Sequence, residues 1–136
     1  MEKIYSKVEP DLLLHLVNRF EDITVGRRDL SEHKEFLQLS TLNLEKGKTF
    51  YPHKHIWKDI NPRAIAQETW IVIKGRVRCT FYDVDDKIIA QPILEPGDCS
   101  MTFFGGHNYE ALEEGTIVYE GKTGPYLGVE LDKVKI

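Results

Sequence analysis

Two histidines one residue apart, His53 and His55, have the residue type and the spacing for chemistry. They lie in the stretch FYPHKHIW, behind a proline and between aromatic residues. Side chains at positions i and i+2 of a strand share one face, so a strand here would present both imidazoles to a single metal ion. The pair alone does not separate metal ligands from ordinary polar residues, because histidine serves both purposes.

Two further residues favour the metal interpretation. Glu68 begins the apolar stretch ETWIVIKG, where a carboxylate pointing into a core would be costly without a partner, and a cation would supply that partner. His107 follows two glycines, which allow the backbone to turn sharply and to approach a site closely. The sequence therefore contains a third imidazole and a carboxylate that could join the first pair.

The elements that must position these residues are mostly strands. The stretches 68–75 and 76–84 are rich in β-branched and aromatic residues, and Gly75 separates them as a tight turn would. Glycine and proline punctuate the chain again at 94–98, and strand-like stretches continue through CSMTFF, TIVYEGK and YLGVEL. About eight short strands at near-regular spacing predict an all-β sandwich or a small jelly-roll barrel.

The start of the chain has a different pattern. Apolar side chains recur at helical spacing from Leu13 to Phe20, and Pro10 with Asp11 would suit the first turn of a helix. We expect one domain, with an N-terminal helix and connector in residues 1–35 packed on a barrel formed by residues 36–136.

Composition limits the partners and the compartment. The 136 residues are 41% hydrophobic, enough for one core, and 18 Lys and Arg against 22 Asp and Glu give a formal charge of −4 without any block of five like charges. We therefore expect neither nucleic acid nor a membrane as a partner. His15 interrupts the apolar run LLLHLV, so we expect neither a signal segment nor a membrane-spanning helix there. Cys79 and Cys99 are too few for a disulfide framework and predict buried thiols in a reducing cytoplasm.

The spacing of the histidines and the glutamate resembles the motifs of the cupin superfamily. The first cupin motif, G-x5-H-x-H followed by E-x6-G, matches Gly47, His53, His55, Glu68 and Gly75. The second motif is similar to PGD at 96–98 followed by Gly106 and His107. The resemblance implies a cupin-type jelly-roll β-barrel and one divalent transition metal ion, which could be Fe, Mn, Ni, Co, Cu or Zn. The ligands that it implies are His53, His55, Glu68 and His107.

The stretch YEGKTGPYLGVELDK, residues 119–133, is similar to the end of the WbuC-like cupin-fold metalloproteins, which are often associated with bacterial surface-polysaccharide loci. The likeness covers about residues 36–133. It implies an enzyme of the isomerase or epimerase type that acts on a small polar molecule, such as a sugar or sugar-nucleotide intermediate. An Fe(II)-dependent dioxygenase and a non-catalytic ligand-binding module remain alternatives. We also expect a homodimer, because small jelly-roll barrels commonly pair their sheets and so hide unpaired strands.

Twelve residues, 56–67, separate the histidine pair from Glu68 and suggest a loop over the mouth of the barrel. No residue is assigned a catalytic role from the sequence. Aromatic and charged side chains are the candidates for a substrate pocket: Tyr51, Trp57, Trp70, Tyr82, Tyr109, Glu120 and Lys122.

Overall fold

Strands make up about half of the computed structural model, which describes residues 1–136. The strand from Glu68 to Lys74 illustrates the cause, since Trp70 and Val72 are buried while Ile71 and Ile73 face outward with a period of two. The strands are β1 (Glu2–Tyr5), β2 (Leu13–Val17), β3 (Gly26–Asp29), β4 (Leu37–Leu44), β5 (His53–His55), β6 (Trp57–Lys58), β7 (Ala64–Ile65), β8 (Glu68–Lys74), β9 (Val77–Tyr82), β10 (Ile88–Ala90), β11 (Ile93–Leu94), β12 (Cys99–Thr102), β13 (Gly106–Ala111), β14 (Thr116–Thr123) and β15 (Lys133–Lys135).

Two large sheets form the body of the protein. One has the order β10-β9-β13-β5-β15, with β11 also paired to β9, and the other has the order β12-β8-β14-β4-β3. The pairs within both sheets are antiparallel. The two sheets form a β-sandwich, which agrees with the all-β class that the sequence predicts, and they do not close into a single hydrogen-bonded barrel.

The hydrophobic core lies between the two sheets. Ten buried residues form it, five from each sheet: Leu42, Leu44, Trp70, Val72 and Val118 from one, and Val77, Cys79, Leu94, Tyr109 and Ala111 from the other. Strands β8 and β13 run from this core to the candidate metal ligands, since Glu68 and His107 lie on the same strands as Trp70 and Tyr109. The core therefore fixes the strands from which two of these side chains project.

The predicted N-terminal helix is wrong. Residues Leu13–Val17 form β2, which pairs with β1 as a two-stranded sheet of its own. Pro10 and Asp11 lie in the turn between these strands, a position that suits them as well as a first helical turn does. The backbone groups of this segment make their hydrogen bonds to β1, whereas a helix would have made them within the segment. A 3-10 turn at Phe20–Asp22 is the only helical structure in this region.

The only α-helix, α1 (Val129–Asp132), lies near the other end of the chain, where the sequence suggested a strand. Neither helical segment is long and apolar enough to cross a membrane. After α1 the chain enters β15, which pairs with β5 and so lies beside the histidine pair.

The two cysteines differ in exposure. Cys79 is buried in the core, whereas Cys99 is exposed, so the prediction of two buried thiols is correct for Cys79 and wrong for Cys99. The reason is position on the strand, since Cys99 begins β12 on a face that points away from the core.

Candidate metal centre

Three strands bring the four predicted ligands together. His53 and His55 lie on β5, Glu68 begins β8, and His107 lies on β13 directly opposite His53. One ligand atom from each of these four side chains lies within 4.8 Å of the others. His55, Glu68 and His107 are buried and His53 is partly buried.

Glu68 is the centre of the cluster. Its Oε2 lies 3.2 Å from Nε2 of His55, and its Oε1 lies 3.4 Å from Nε2 of His107. Nε1 of Trp70 donates a hydrogen bond to Oε1 at 3.0 Å, which fixes the carboxylate from behind. Burial alone would raise the pKa of Glu68, but the contacts with His107 and His55 hold this pKa well below its usual range. The carboxylate is therefore ionised, as a metal ligand must be.

Contacts of the Nδ1 atoms orient the two histidines of β5. Nδ1 of His53 lies 2.9 Å from the carbonyl oxygen of Tyr51, and Nδ1 of His55 lies 3.3 Å from the carbonyl oxygen of Asp132. A carbonyl can only accept, so each Nδ1 carries a proton, which leaves each Nε2 as the ring atom that a metal ion would bind.

The two imidazoles differ electrostatically. Burial, followed by the nearby charges of His107 and Lys133, lowers the pKa of His53 to about 4. Burial also opposes protonation of His55, but hydrogen bonds to Asp132 and Glu68 outweigh it and raise the pKa of this residue. His53 is thus held in the neutral form that binds metals, whereas the raised pKa of His55 means that protons compete more strongly with a metal ion at this residue.

His107 tests whether these residues fit a metal ion. It is fully buried, and neither of its ring nitrogens has a hydrogen-bond partner. Buried polar groups almost always have a partner, and an ion bound at Nε2 would supply one. Metal–ligand bonds of about 2.0–2.2 Å place neighbouring ligand atoms roughly 3–4 Å apart, a range that includes the contacts of Glu68 with His55 and His107. The donor set and its spacing therefore fit one transition metal ion.

Asp132 contacts His55 on the side of the ring away from the other ligands. The sequence analysis did not identify this residue. It is fully buried, with Oδ2 at 3.2 Å from Nδ1 of His55 and Oδ1 at 2.7 Å from Nζ of Lys58. Burial would raise its pKa, but His55 and Lys58 lower the pKa far below the usual range. The residue had no signal beyond its place in the C-terminal motif, because its partners are distant in the sequence.

The inserted segment 56–67 forms a hairpin of β6 and β7 rather than a loop over the site. None of its residues lines the cavity beside the cluster. Its Lys58 is buried and donates a hydrogen bond of 2.6 Å to the carbonyl oxygen of Pro125 in addition to its contact with Asp132. The hairpin therefore holds the C-terminal segment against the metal centre.

A cavity of about 560 Å³ opens onto the cluster, with His53 and Glu68 in its wall. Five of the seven predicted pocket residues line it: Tyr51, Trp70, Tyr109, Glu120 and Lys122. The other two lie elsewhere. Trp57 is half exposed and contacts Phe104 and Arg63, and Tyr82 lines a separate, smaller pocket.

The cavity wall also contains residues from the segment that the sequence assigned to a connector. Arg27 of β3 binds both carboxylate oxygens of Glu120, at 2.7 and 2.9 Å, and also contacts Asp29 at 2.9 Å. His33 lies 3.3 Å from Asp29 with its ring against Tyr126 at the cavity rim. These residues were missed because β3 was not predicted to join the sheet.

Comparisons with known proteins place the chain by its fold. No family model matches it, and no curated protein matches its sequence. Solved structures do match. KdgF from Halomonas sp. is 17% identical with a TM-score of 0.56, covering 71% of this chain and 77% of its own. CapF from Staphylococcus aureus, a capsular polysaccharide assembling protein, is 17% identical with a TM-score of 0.65, covering 81% of this chain but only 31% of its own.

A variant of oxalate decarboxylase from Bacillus subtilis is 20% identical, with a TM-score of 0.61 over 84% of this chain and 29% of its own. The chain thus spans about a third or less of the length of CapF and of oxalate decarboxylase. These likenesses show that the chain has the cupin fold, and the cluster of three histidines and one glutamate lies within that fold.

Proposed function

We propose that this chain binds one divalent transition metal ion through His53, His55, Glu68 and His107. We further propose that it is an enzyme that acts on a small polar molecule. The observation that carries the proposal is the buried His107, whose ring nitrogens make no hydrogen bond. Its Nε2 lies 3.4 Å from the carboxylate of Glu68, and the imidazoles of His53 and His55 lie nearby. Three neutral nitrogens and one carboxylate oxygen suit Fe, Mn, Ni, Co, Cu or Zn.

The cavity supports a catalytic rather than a purely structural centre. Only His53 and Glu68 among the four ligands border it, so one side of the centre is open to a substrate. When bound there, the ion would act as a Lewis acid on a carbonyl or hydroxyl oxygen. The chain itself supplies polar groups for hydroxyls, such as Gln38, Ser40 and Asn108, and aromatic faces for a sugar ring at Tyr51 and Tyr126.

The proposed substrate is a sugar or sugar-nucleotide intermediate of surface-polysaccharide synthesis, and the proposed reaction is an isomerisation or epimerisation. Two observations support this choice: the similarity of fold to CapF, whose name describes capsular polysaccharide assembly, and the similarity of residues 119–133 to the WbuC-like proteins. The cytoplasmic location, the homodimer, and the exclusion of nucleic acid and membrane as partners stay predictions from the sequence.

Elemental analysis of untagged protein, purified without chelators, tests the metal site. We expect close to one metal ion per chain in the wild type and none in the His53→Ala/His55→Ala double variant, while a His15→Ala variant on the distant β2 keeps its metal. Absence of metal from the wild type, even after anaerobic reconstitution, would overturn the proposal in favour of a metal-free binding protein. Oxygen consumption with candidate substrates would instead indicate the dioxygenase alternative.

A further inference from the structure

The last strand places two lysines beside the histidine pair. In the antiparallel pairing of β15 with β5, Lys133 lies opposite His55 and Lys135 lies opposite His53. Residues that face each other across such a pair project on the same side of the sheet. Both lysines accordingly line the cavity, whereas Lys54, between the two histidines, forms an ion pair with Asp86 at 2.6 Å.

These two lysines differ from the other cations of the cavity because neither has a carboxylate within 4.0 Å. Arg27 is neutralised by Glu120 and Asp29, and Lys122 lies 3.6 Å from Asp132. Nζ of Lys133 instead lies 3.4 Å from Nε2 of His53, and Nζ of Lys135 lies 4.2 Å from the centre of the Tyr51 ring. Two positive charges in the wall therefore have no counter-charge from the protein.

The position of Lys133 would increase the excess of positive charge when a metal ion is bound. Its ammonium group contacts the His53 nitrogen that would bind the metal, so a divalent cation would lie next to a second positive charge. The cavity wall holds four cationic and three anionic side chains before any metal is added: Arg27, Lys122, Lys133 and Lys135 against Asp29, Glu68 and Glu120. An anion between the metal and the lysines would remove the repulsion and would bind both cations at once.

We propose that the substrate of this site is an anion, and that Lys133 and Lys135 bind its carboxylate or phosphoryl group beside the metal ion. The inference rests on the proposed function and narrows it to acidic or phosphorylated small molecules. Lys133, which contacts His53, would bind the side of this group that faces the metal ion, and Lys135, on the same face of β15, would bind another of its oxygens. The neutral part of the molecule then extends toward Tyr126 and Ser40 in the remainder of the cavity.

Anion binding to the Co²⁺-loaded protein tests this inference, because the visible spectrum of Co²⁺ responds to changes at the metal. The probes are glycolate for a carboxylate, inorganic phosphate for a phosphoryl group, and ethylene glycol as an uncharged control. We expect the wild type to bind at least one of the two anions and not ethylene glycol. Lys133→Met and Lys135→Met should each weaken anion binding roughly tenfold or more, the loss expected for one charge-assisted hydrogen bond.

Matched variants separate charge from structure. Lys54→Met removes the same side-chain type from β5 at the Asp86 ion pair and should bind the anions as the wild type does. Lys133→Arg should retain most of the affinity because it retains the charge. In the absence of anions, Lys133→Met should bind Co²⁺ at least as tightly as the wild type, since a positive charge next to the metal has been removed.

Different results would overturn the proposed metal site and the proposed anion site. A wild-type protein that gives no Co²⁺ spectrum overturns the proposed metal site, and the anion site with it. A protein that binds Co²⁺ but binds neither anion, or that binds them equally well after Lys133→Met, leaves the metal site standing and overturns the anion site. Binding of phosphate without glycolate would assign the ligand to phosphorylated molecules, and the reverse would assign it to carboxylic acids.

Discussion

Nδ1 of His55 lies 3.2 Å from Oδ2 of Asp132, so a ligand on one side of the centre is held by a buried carboxylate from the last helix. This pairing couples the C-terminal segment to the metal centre. A carboxylate behind a metal-binding imidazole fixes its orientation and increases its basicity.

Asp132→Asn should weaken metal binding by about 10–100-fold, because the asparagine keeps the shape of the side chain but removes the charge that acts on His55. Competition with a fluorescent chelator measures the affinity. Asp29→Asn makes the same change of charge at the Arg27 ion pair and serves as the control. Equal affinities in the wild type and in Asp132→Asn would show that the carboxylate does not act on the metal centre.

Lys58→Met should lower the free energy of unfolding by about 3–5 kcal/mol, because it leaves the buried Asp132 without its closest cation. Urea unfolding of the metal-free protein measures this loss. The double variant Lys58→Met/Asp132→Asn should lose less than the sum of the two single variants, since neither partner then remains buried alone. Lys87→Met, in an exposed ion pair with Asp85, should leave stability nearly unchanged. If the two lysine variants unfold alike, the buried pair does not stabilise the fold.

His107→Leu should separate stability from metal binding. Neither ring nitrogen makes a hydrogen bond, so an apolar side chain of similar size removes a desolvation cost, but it also removes the 3.4 Å contact of Nε2 with Glu68. Because these two effects oppose each other, the stability of the metal-free variant should lie within about 1 kcal/mol of the wild type. The same variant should gain little thermal stability from added Zn²⁺, whereas the wild type should be stabilised by about 2.7 kcal/mol at a free metal concentration of 100 times Kd. A large loss of stability in the metal-free variant would contradict an unsatisfied His107.

Thiol alkylation should distinguish the two cysteines as a function of pH. Burial raises the pKa of Cys79 to about 12, so this thiol stays protonated and unreactive in the folded protein from neutral pH to about pH 9. Cys99 is exposed and should react over the same pH range. Mass spectrometry after iodoacetamide treatment should find one label per folded chain and none in Cys99→Ser. Two labels under native conditions would show that the core opens.

The sequence was sufficient for the four candidate ligands and for most strands of the two sheets. The ligands could be predicted because their spacing along the chain is itself a motif. The strands could be predicted because buried residues alternate with less buried ones, as Glu68, Trp70 and Val72 do in β8. Asp132 and Lys58 could not be found in this way, since the contacts of Asp132 with Lys58 and with His55 join residues that are far apart along the chain. The helix predicted around Leu13 failed for a related reason: its apolar spacing is local, but its hydrogen bonds go to β1.

The three residues of β5 are paired on both sides, with β13 along one edge and β15 along the other. A short strand confined in this way keeps its two imidazoles at a fixed separation before any ion arrives. Little conformational entropy is then lost on loading, and an arriving ion need not organise the chain around it. Backbone amides of Lys54 and His55 should accordingly exchange with deuterium as slowly in the metal-free protein as in the loaded one. Which ion occupies the site would then be decided by its supply in the cell and by its preferred coordination geometry, rather than by a folding step.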